Sequence, residues 1–182
     1  MSRKYKFKDP EKPYFISFAT VYWIDIFTRR LYKDILVDCI NFCIKEKGLV
    51  VYGWCIMTNH VHIIINSDGA ELHNILRDLK GYSAKQILAA ISDNQQESRK
   101  GWILWMFERA GKKNSNNTKY QFWQQNNHPI ILSNKIVFEQ KLNYIHNNPV
   151  EAGYVEFPEQ YLYSSARDYA DEKGLIKISI AR

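Results

Sequence analysis

A chain of 182 residues that is 46% apolar can bury one substantial core, which favours a globular chain over a disordered one. Its 25 lysines and arginines against 19 acids leave a net charge of +6, which, beside twelve tyrosines and five tryptophans, fits a nucleic-acid partner. No run of 18 apolar residues is present, and the leader lacks the apolar stretch of a signal peptide, so a cytoplasmic protein without a membrane span is expected.

The basic leader MSRKYKFKDPEKP, 1–13, gives way to YFISFATVYW, 14–23, whose aromatic and β-branched residues predict a strand. Leu31, Ile35, Leu36, Cys39, Ile40, Cys43 and Ile44 then recur at helical spacing, and Gly48 supplies the stop. Cys39, Cys43 and Cys55 contain no C-x-x-C pair and read as buried free thiols in a reducing compartment. Residues 49–57 and 60–66 predict two more strands. The link between them, Thr58 and Asn59, is so short that they must form an antiparallel hairpin.

A second helix spans about 70–92 with Leu72, Ile75, Leu76, Leu79, Ile87, Leu88 and Ile91 as its stripe, and Gly81 as a point of interruption. The stretch 93–119 breaks the pattern: an apolar, tryptophan-bearing patch sits between polar ends, and AGKKNSNNTK reads as a basic loop. YQFWQQ, 120–125, is the expected fourth strand. A helix follows over about 134–147, with Ser133 as N-cap and Pro149 forcing its end. A final helix in PEQYLYSSARDYADEKG and a terminal strand in LIKISI complete the chain.

Strand, helix, strand, strand, helix, strand is the order of the split βαββαβ, or ferredoxin-like, motif, an α+β fold with an antiparallel sheet. One domain over 1–182 is expected: the leader, a core over 14–132 with an insertion at about 93–119, and a late helix with C-terminal elements over 133–182. The first and third strands form the central pair, and both core helices cover one face. The other face is then open.

That topology gives meaning to MTNHVHIIIN. On a strand, His60 and His62 share a face while Val61, Ile63 and Ile65 take the other, packed under the helices. Two histidines spaced roughly 6.5–7 Å apart along the strand can reach one ion. Paired aromatics on a sheet are also common as plain structure. In KLNYIHNNPVEAG, Tyr144 and Asn148 are four apart on a helix and share a face. An asparagine carbonyl is a hard oxygen ligand, and with two imidazoles it would complete a three-ligand cation site open to a phosphate. Tyrosine beside such an ion suggests a covalent nucleophile, although a helix tyrosine can equally cover a core edge. His146 lies about 200° around the helix from Tyr144 and falls outside this set.

NHVHIII, then YIHNNPVEAG about 80 residues later, then PEQYLYSS, resemble the REP-associated tyrosine transposases, a branch of the single-tyrosine, His-hydrophobic-His transposases. The similarity runs from YFISFAT through YSSARDYA, and three separated motifs in order are far more specific than any one. The resemblance implies a ferredoxin-like core, His60 and His62 as metal ligands, Tyr144 as nucleophile, and Asn148 where related insertion-sequence enzymes carry glutamine. It implies cleavage and rejoining of single-stranded, hairpin-forming DNA through a 5′-phosphotyrosine, with Mg²⁺ or Mn²⁺ as the expected ion. The stretch 99–129 departs from the family's short form, and His128 is left without a role. The active protein could be a monomer or a homodimer.

Cationic grooves and aromatic platforms hold single-stranded DNA. The candidates are Arg3, Lys4, Lys6 and Lys8 with Tyr5 and Phe7, the loop's Lys112, Lys113 and Lys119, and on the second helix Lys80, Tyr82 and Lys85. Trp102, Trp105 and Trp123 are expected in the core or an interface instead. The competing function is a non-catalytic, basic ferredoxin-like module that binds nucleic acid. It lacks the RNP1-like aromatic strand and leaves His60, His62 and Asn148 unexplained. A metal-dependent hydrolytic nuclease is the third reading.

Overall fold

The computed structural model describes residues 7, 9–114, 119–125 and 129–180. Strand β1 (Tyr14–Ala19) leads into helix α1 (Arg30–Lys47), which ends on Gly48 in the left-handed conformation at φ 70°, as the sequence predicts. Strands β2 (Leu49–Ile56) and β3 (His60–Ser67) form the hairpin, closed where the Met57 N–H donates to the His60 carbonyl at 2.8 Å. Helix α2 (Leu72–Asp93) runs through Gly81 without a break, because its apolar stripe continues on both sides. The sheet order is β2-β3-β1-β4, all antiparallel, with β1 and β3 central.

Four stretches of chain depart from expectation. The fourth strand is β4 (Ile130–Ile131), paired with Tyr14 and Phe15, rather than 120–125. The earlier segment lies along the other half of the same β1 edge, but Phe122 and Trp123 are both buried. Two consecutive inward residues cannot sit in an alternating ladder, so a single Thr20–Trp123 bridge forms. The broken stretch 93–119 contains a regular helix, α3 (Lys100–Lys112), burying Ile103, Phe107 and Ala110. Its exposed tryptophans mask the stripe.

The third correction concerns α4 (Lys135–Glu151). Asn134, not Ser133, is its N-cap, accepting from the Val137 N–H at 3.0 Å. The helix passes through Pro149, since a proline this near the end deprives only the Ile145 carbonyl of its partner. Fourth, the expected last helix shrinks to a turn at Pro158–Gln160 and α5 (Ala166–Tyr169). Between them Tyr163 and Ser165 bond Ile56 and Trp54 of β2, at 2.9 Å each. The unpaired edge of β2 demands partners, and this demand outweighs the local helical preference. LIKISI forms no strand; it gives that edge one bond, Ser179 N–H to the Val51 carbonyl.

Helices α1 and α2 cover the face carrying Tyr14, Ile16, Phe18, Val61, Ile63 and Ile65, all buried. Helix α4 crosses the opposite face over β2 and β3. Gly53 permits this. An added Cβ there would lie 2.5 Å from Leu142 Cδ1 of α4, so only glycine allows the helix this close. Beside it the ring of Phe138 meets Tyr52 edge-on at 5.9 Å.

Candidate active site

The face under α4 gathers the histidine pair and the tyrosine. The register pairs His62 with Ser17 and His60 with Ala19, placing Phe15, Ser17 and Ala19 on their side of β1. The two imidazoles are 4.7 Å apart between ring centres. Tyr144 reaches down from α4 so that its ring lies 5.1 Å from that of His62 and 6.1 Å from that of Phe15, edge-on to both. Phe15 in turn stacks on His62 at 5.6 Å. Tyr144 keeps one side open to solvent, being 43% exposed.

Asn148 closes the group. Its Nδ2 donates to the Tyr144 carbonyl at 2.8 Å, which leaves its Oδ1 for the histidines. An accepting oxygen favours the protonated form of an imidazole, and the amide does push both histidines that way. Burial overrides it. His62 is driven down to about 3, first by desolvation and then by the neighbouring His60, and His60 is lowered mainly by its own burial. Both rings are therefore neutral at physiological pH.

His62 is 5% exposed, and neither its Nδ1 nor its Nε2 closes a hydrogen bond of ordinary geometry, although the Asn148 oxygen acts on the ring. A buried polar group left unsatisfied costs about 1–3 kcal/mol, and native folds keep few of them. His60 differs: its Nδ1 bonds Asn59 Oδ1 at 2.7 Å, so its Nε2 is the nitrogen left for a ligand. Asn59 is itself fixed, donating to the Trp23 carbonyl at 3.2 Å and to Asp25 Oδ1 at 3.0 Å. A metal-bound histidine commonly has its other nitrogen held in this way. Two imidazole nitrogens and an amide oxygen thus form a donor set that fits a small divalent cation, with room for further ligands. No group of three His, Cys, Asp or Glu side chains competes for a metal among the described residues.

Asn59, Lys141 and Phe15 were not visible in the sequence as members of this site. The Lys141 ammonium sits 5.0 Å from the Phe15 ring centre and 5.6 Å from that of Tyr144. Its place one turn before Tyr144 was the available signal. His146 faces away, bonding Ser165 Oγ at 2.9 Å, and burial lowers it to about 4. His73 pairs with Glu71 at the surface.

The candidate DNA contacts divide. Arg3, Lys4, Lys6, Lys8 and His128 lie outside the described residues. Phe7 packs on Tyr14. Lys80 turns inward against Phe18, across the sheet from the histidines, with its ammonium donating to the Gln124 carbonyl; burial lowers it to about 8. Lys112 pairs with Glu108 at 2.8 Å. Lys119 sits over Tyr120, and Lys113 lines an open cavity with Tyr22. Trp123 is buried as expected, but Trp102 and Trp105 are 50% and 53% exposed on the solvent side of α3, contrary to a place in the core.

The model of the IS200-like transposases matches residues 13–108, a little over half of the chain and the part that carries both histidines. The chain belongs to the IS200-like transposases. It is accordingly a DNA transposase, an enzyme that cuts and transfers DNA strands. The match ends before α4, so Tyr144 and Asn148 stand on the geometry above.

The transposase shares its fold with a solved structure of a REP-associated tyrosine transposase bound to a REP hairpin. The TM-score is 0.65, over 98% of this chain and 92% of that one, at 16% identity. A putative transposase from Deinococcus radiodurans gives a TM-score of 0.45 over 81% of this chain and 95% of that one, at 19% identity. No curated protein matches. No helix among the described residues is long and apolar enough to cross a membrane.

Proposed function

We propose that this transposase is of the REP-associated kind: it cleaves and rejoins single-stranded DNA beside a hairpin, through a 5′-phosphotyrosine on Tyr144 and with a divalent cation held by His60, His62 and Asn148. The observation that carries this reading is the buried His62 ring, which closes no hydrogen bond of ordinary geometry, with Tyr144 beside it. The hairpin substrate is suggested by the structural neighbour of like fold, which was solved bound to one.

When bound, Mg²⁺ or Mn²⁺ would supply Lewis-acid polarisation of a non-bridging phosphate oxygen. The chain's own residues do the rest. Tyr144 Oη attacks phosphorus, a phosphorus–oxygen ester bond to Tyr144 forms, and the bond to the 3′-oxygen breaks. The phenol's proton passes to solvent and the released 3′-oxygen takes one up, giving a free 3′-hydroxyl. A second 3′-hydroxyl reverses the sequence and joins strands without ATP, because the tyrosine ester conserves the bond. Asn148 couples the two halves, since its amide holds the Tyr144 backbone while its oxygen faces the histidines. Lys141 places a positive charge where a phosphate would approach Tyr144.

The experiment is a denaturing gel of the protein with end-labelled hairpin oligonucleotide and Mn²⁺. A labelled band at protein size is expected. Free product without that band would mean hydrolysis, and no cleavage at all would mean a binding module; either result overturns the reading.

A further inference from the structure

Beyond the reacting residues, the turn between β1 and α1 holds two strained residues side by side. Tyr22 and Trp23 are consecutive non-glycine residues at φ 55° and 54°, a left-handed conformation that side chains with a Cβ rarely adopt. Their rings are 45% and 55% exposed, so core packing does not hold them there. Hydrogen bonds do. The Val21 N–H donates to the Phe122 carbonyl at 2.8 Å, the Trp23 N–H to the Thr20 carbonyl at 3.1 Å, and Asn59 Nδ2 to the Trp23 carbonyl at 3.2 Å.

Asn59 is also the residue that fixes His60, so one amide locks the turn to the candidate metal-binding face. The Trp23 ring meets His60 edge-on at 5.8 Å. On the far side of the turn, Tyr22 walls an open cavity of about 510 Å³ lined by Lys113, Gln121, Gln124 and Gln125 among others. Backbone strain of this kind persists where surrounding structure imposes it, and it concentrates at functional sites.

We propose that this turn is a base-stacking platform: unpaired nucleotides flanking the scissile phosphate lie on Trp23 and Tyr22, and the base beyond Tyr22 enters the glutamine-lined cavity. The proposal rests on the reading of the His60, His62 and Tyr144 face as the cleavage site, and it names the part of the substrate next to the phosphate. Exposed aromatic rings offer a face on which any base stacks. Gln121 and Gln124 are tied to Asn114, Trp123 and Thr20, which holds them as fixed walls of the cavity. Gln125 brings an amide of the kind that pairs with base edges, and Lys113 offers a cation for the backbone between bases. A duplex has no free base faces along its length, so the occupant is single-stranded.

The test is binding rather than cleavage, in a Tyr144→Phe background, by fluorescence anisotropy with labelled hairpins. One hairpin carries unpaired flanks, one has them trimmed, and a series has single abasic positions in the flanks. Trp23→Ala is expected to weaken the flanked hairpin by about 5–150-fold, the range set by one lost stack, while binding of the trimmed hairpin is unchanged. Trp23→Phe retains most of the affinity. At one flank position the abasic substitution and Trp23→Ala together lose no more than either alone.

Equal affinity of Trp23→Ala and the parent for flanked DNA would overturn the platform, as would equal loss on flanked and trimmed hairpins. A folding control separates function from structure. Glycine accepts this φ freely, so Trp23→Gly keeps its Tm at or above that of the parent while its affinity falls. A lowered Tm in step with lost affinity would mark the turn as structural and overturn the proposal. Because no cleavage is read, failure here leaves a covalent adduct on Tyr144 intact, and failure of the adduct leaves the stacking result intact.

Discussion

The ring of Tyr144 lies 5.1 Å from that of His62, edge to face, although 82 residues of chain separate them. Strand β3 fixes one and helix α4 the other, and the packing of α4 on the sheet brings them together.

Gly53 is the point where that support is most exposed to test. Gly53→Ala drives a methyl against Leu142 Cδ1, with a cost of about 1–3 kcal/mol for overpacking. Helix α4 is expected to shift, so cleavage falls further than hairpin binding does. Adding Leu142→Ala makes room for the methyl, and the double variant is expected to cleave faster than Gly53→Ala alone, measured on one labelled oligonucleotide.

His62 is expected to trade stability for function. Replacing its unsatisfied, buried ring with an apolar side chain, His62→Leu, removes a penalty of about 1–3 kcal/mol. The Tm of the metal-free protein should rise, while the Tm increase produced by Mn²⁺ in the parent disappears. A fall in the metal-free Tm would show the ring to be structural.

Asn59→Ala should act on metal affinity without touching the ion. It removes the acceptor that holds His60 Nδ1, and losing such an orienting partner commonly weakens a metal site 10–100-fold. Calorimetric titration with Mn²⁺ measures this, and an unchanged affinity would remove Asn59 from the account.

Acid stability should follow Glu97. Its side chain is fully enclosed beneath Arg29 and Arg99, at 2.7 Å and 3.1 Å, and Arg99 also holds the Asp25 carbonyl. Burial alone would push the carboxyl up, but the hydrogen bonds from Arg99 and Arg29 outweigh it and keep the group below its ordinary value. The unfolded chain therefore binds a proton, near pH 4.3, that the folded protein still refuses. The contribution is complete above that pH and is lost as pH falls through the lower folded value. Glu97→Gln should cost about 1–3 kcal/mol at pH 7, because a neutral amide replaces the charged acceptor of two half-buried arginines. It should also flatten the fall of Tm between pH 5 and pH 3.

Much of this molecule is written in local pattern. Alternation in β3, the helical stripes of α1 and α2, Gly48 and the two-residue hairpin link each act within a few residues, and each appears where the sequence places it. Strand β1, by contrast, stops at Ala19, and the rest of the expected 14–23 strand turns away at Val21–Trp23. What escaped is decided at a distance. The edge of β2 draws Tyr163 and Ser165 out of an expected helix, and the edge of β1 accepts Ile130 in place of a longer ladder. In α3 the exposed Trp102 and Trp105 hide an ordinary buried stripe. The four candidate site residues could be picked out because strand and helix spacing put each pair on one face. Asn59, Lys141 and Trp23 were not, because their roles come from neighbours across the fold.

The most direct measurement locates the DNA on the protein. The adduct formed with hairpin oligonucleotide and Mn²⁺ is trimmed by nuclease, digested with trypsin and sequenced by mass spectrometry. The peptide Leu142–Arg167 contains Tyr144, Tyr154, Tyr161 and Tyr163. Fragment ions are expected to place the nucleotide phosphate on Tyr144; its attachment to any of the other eleven tyrosines would contradict the account.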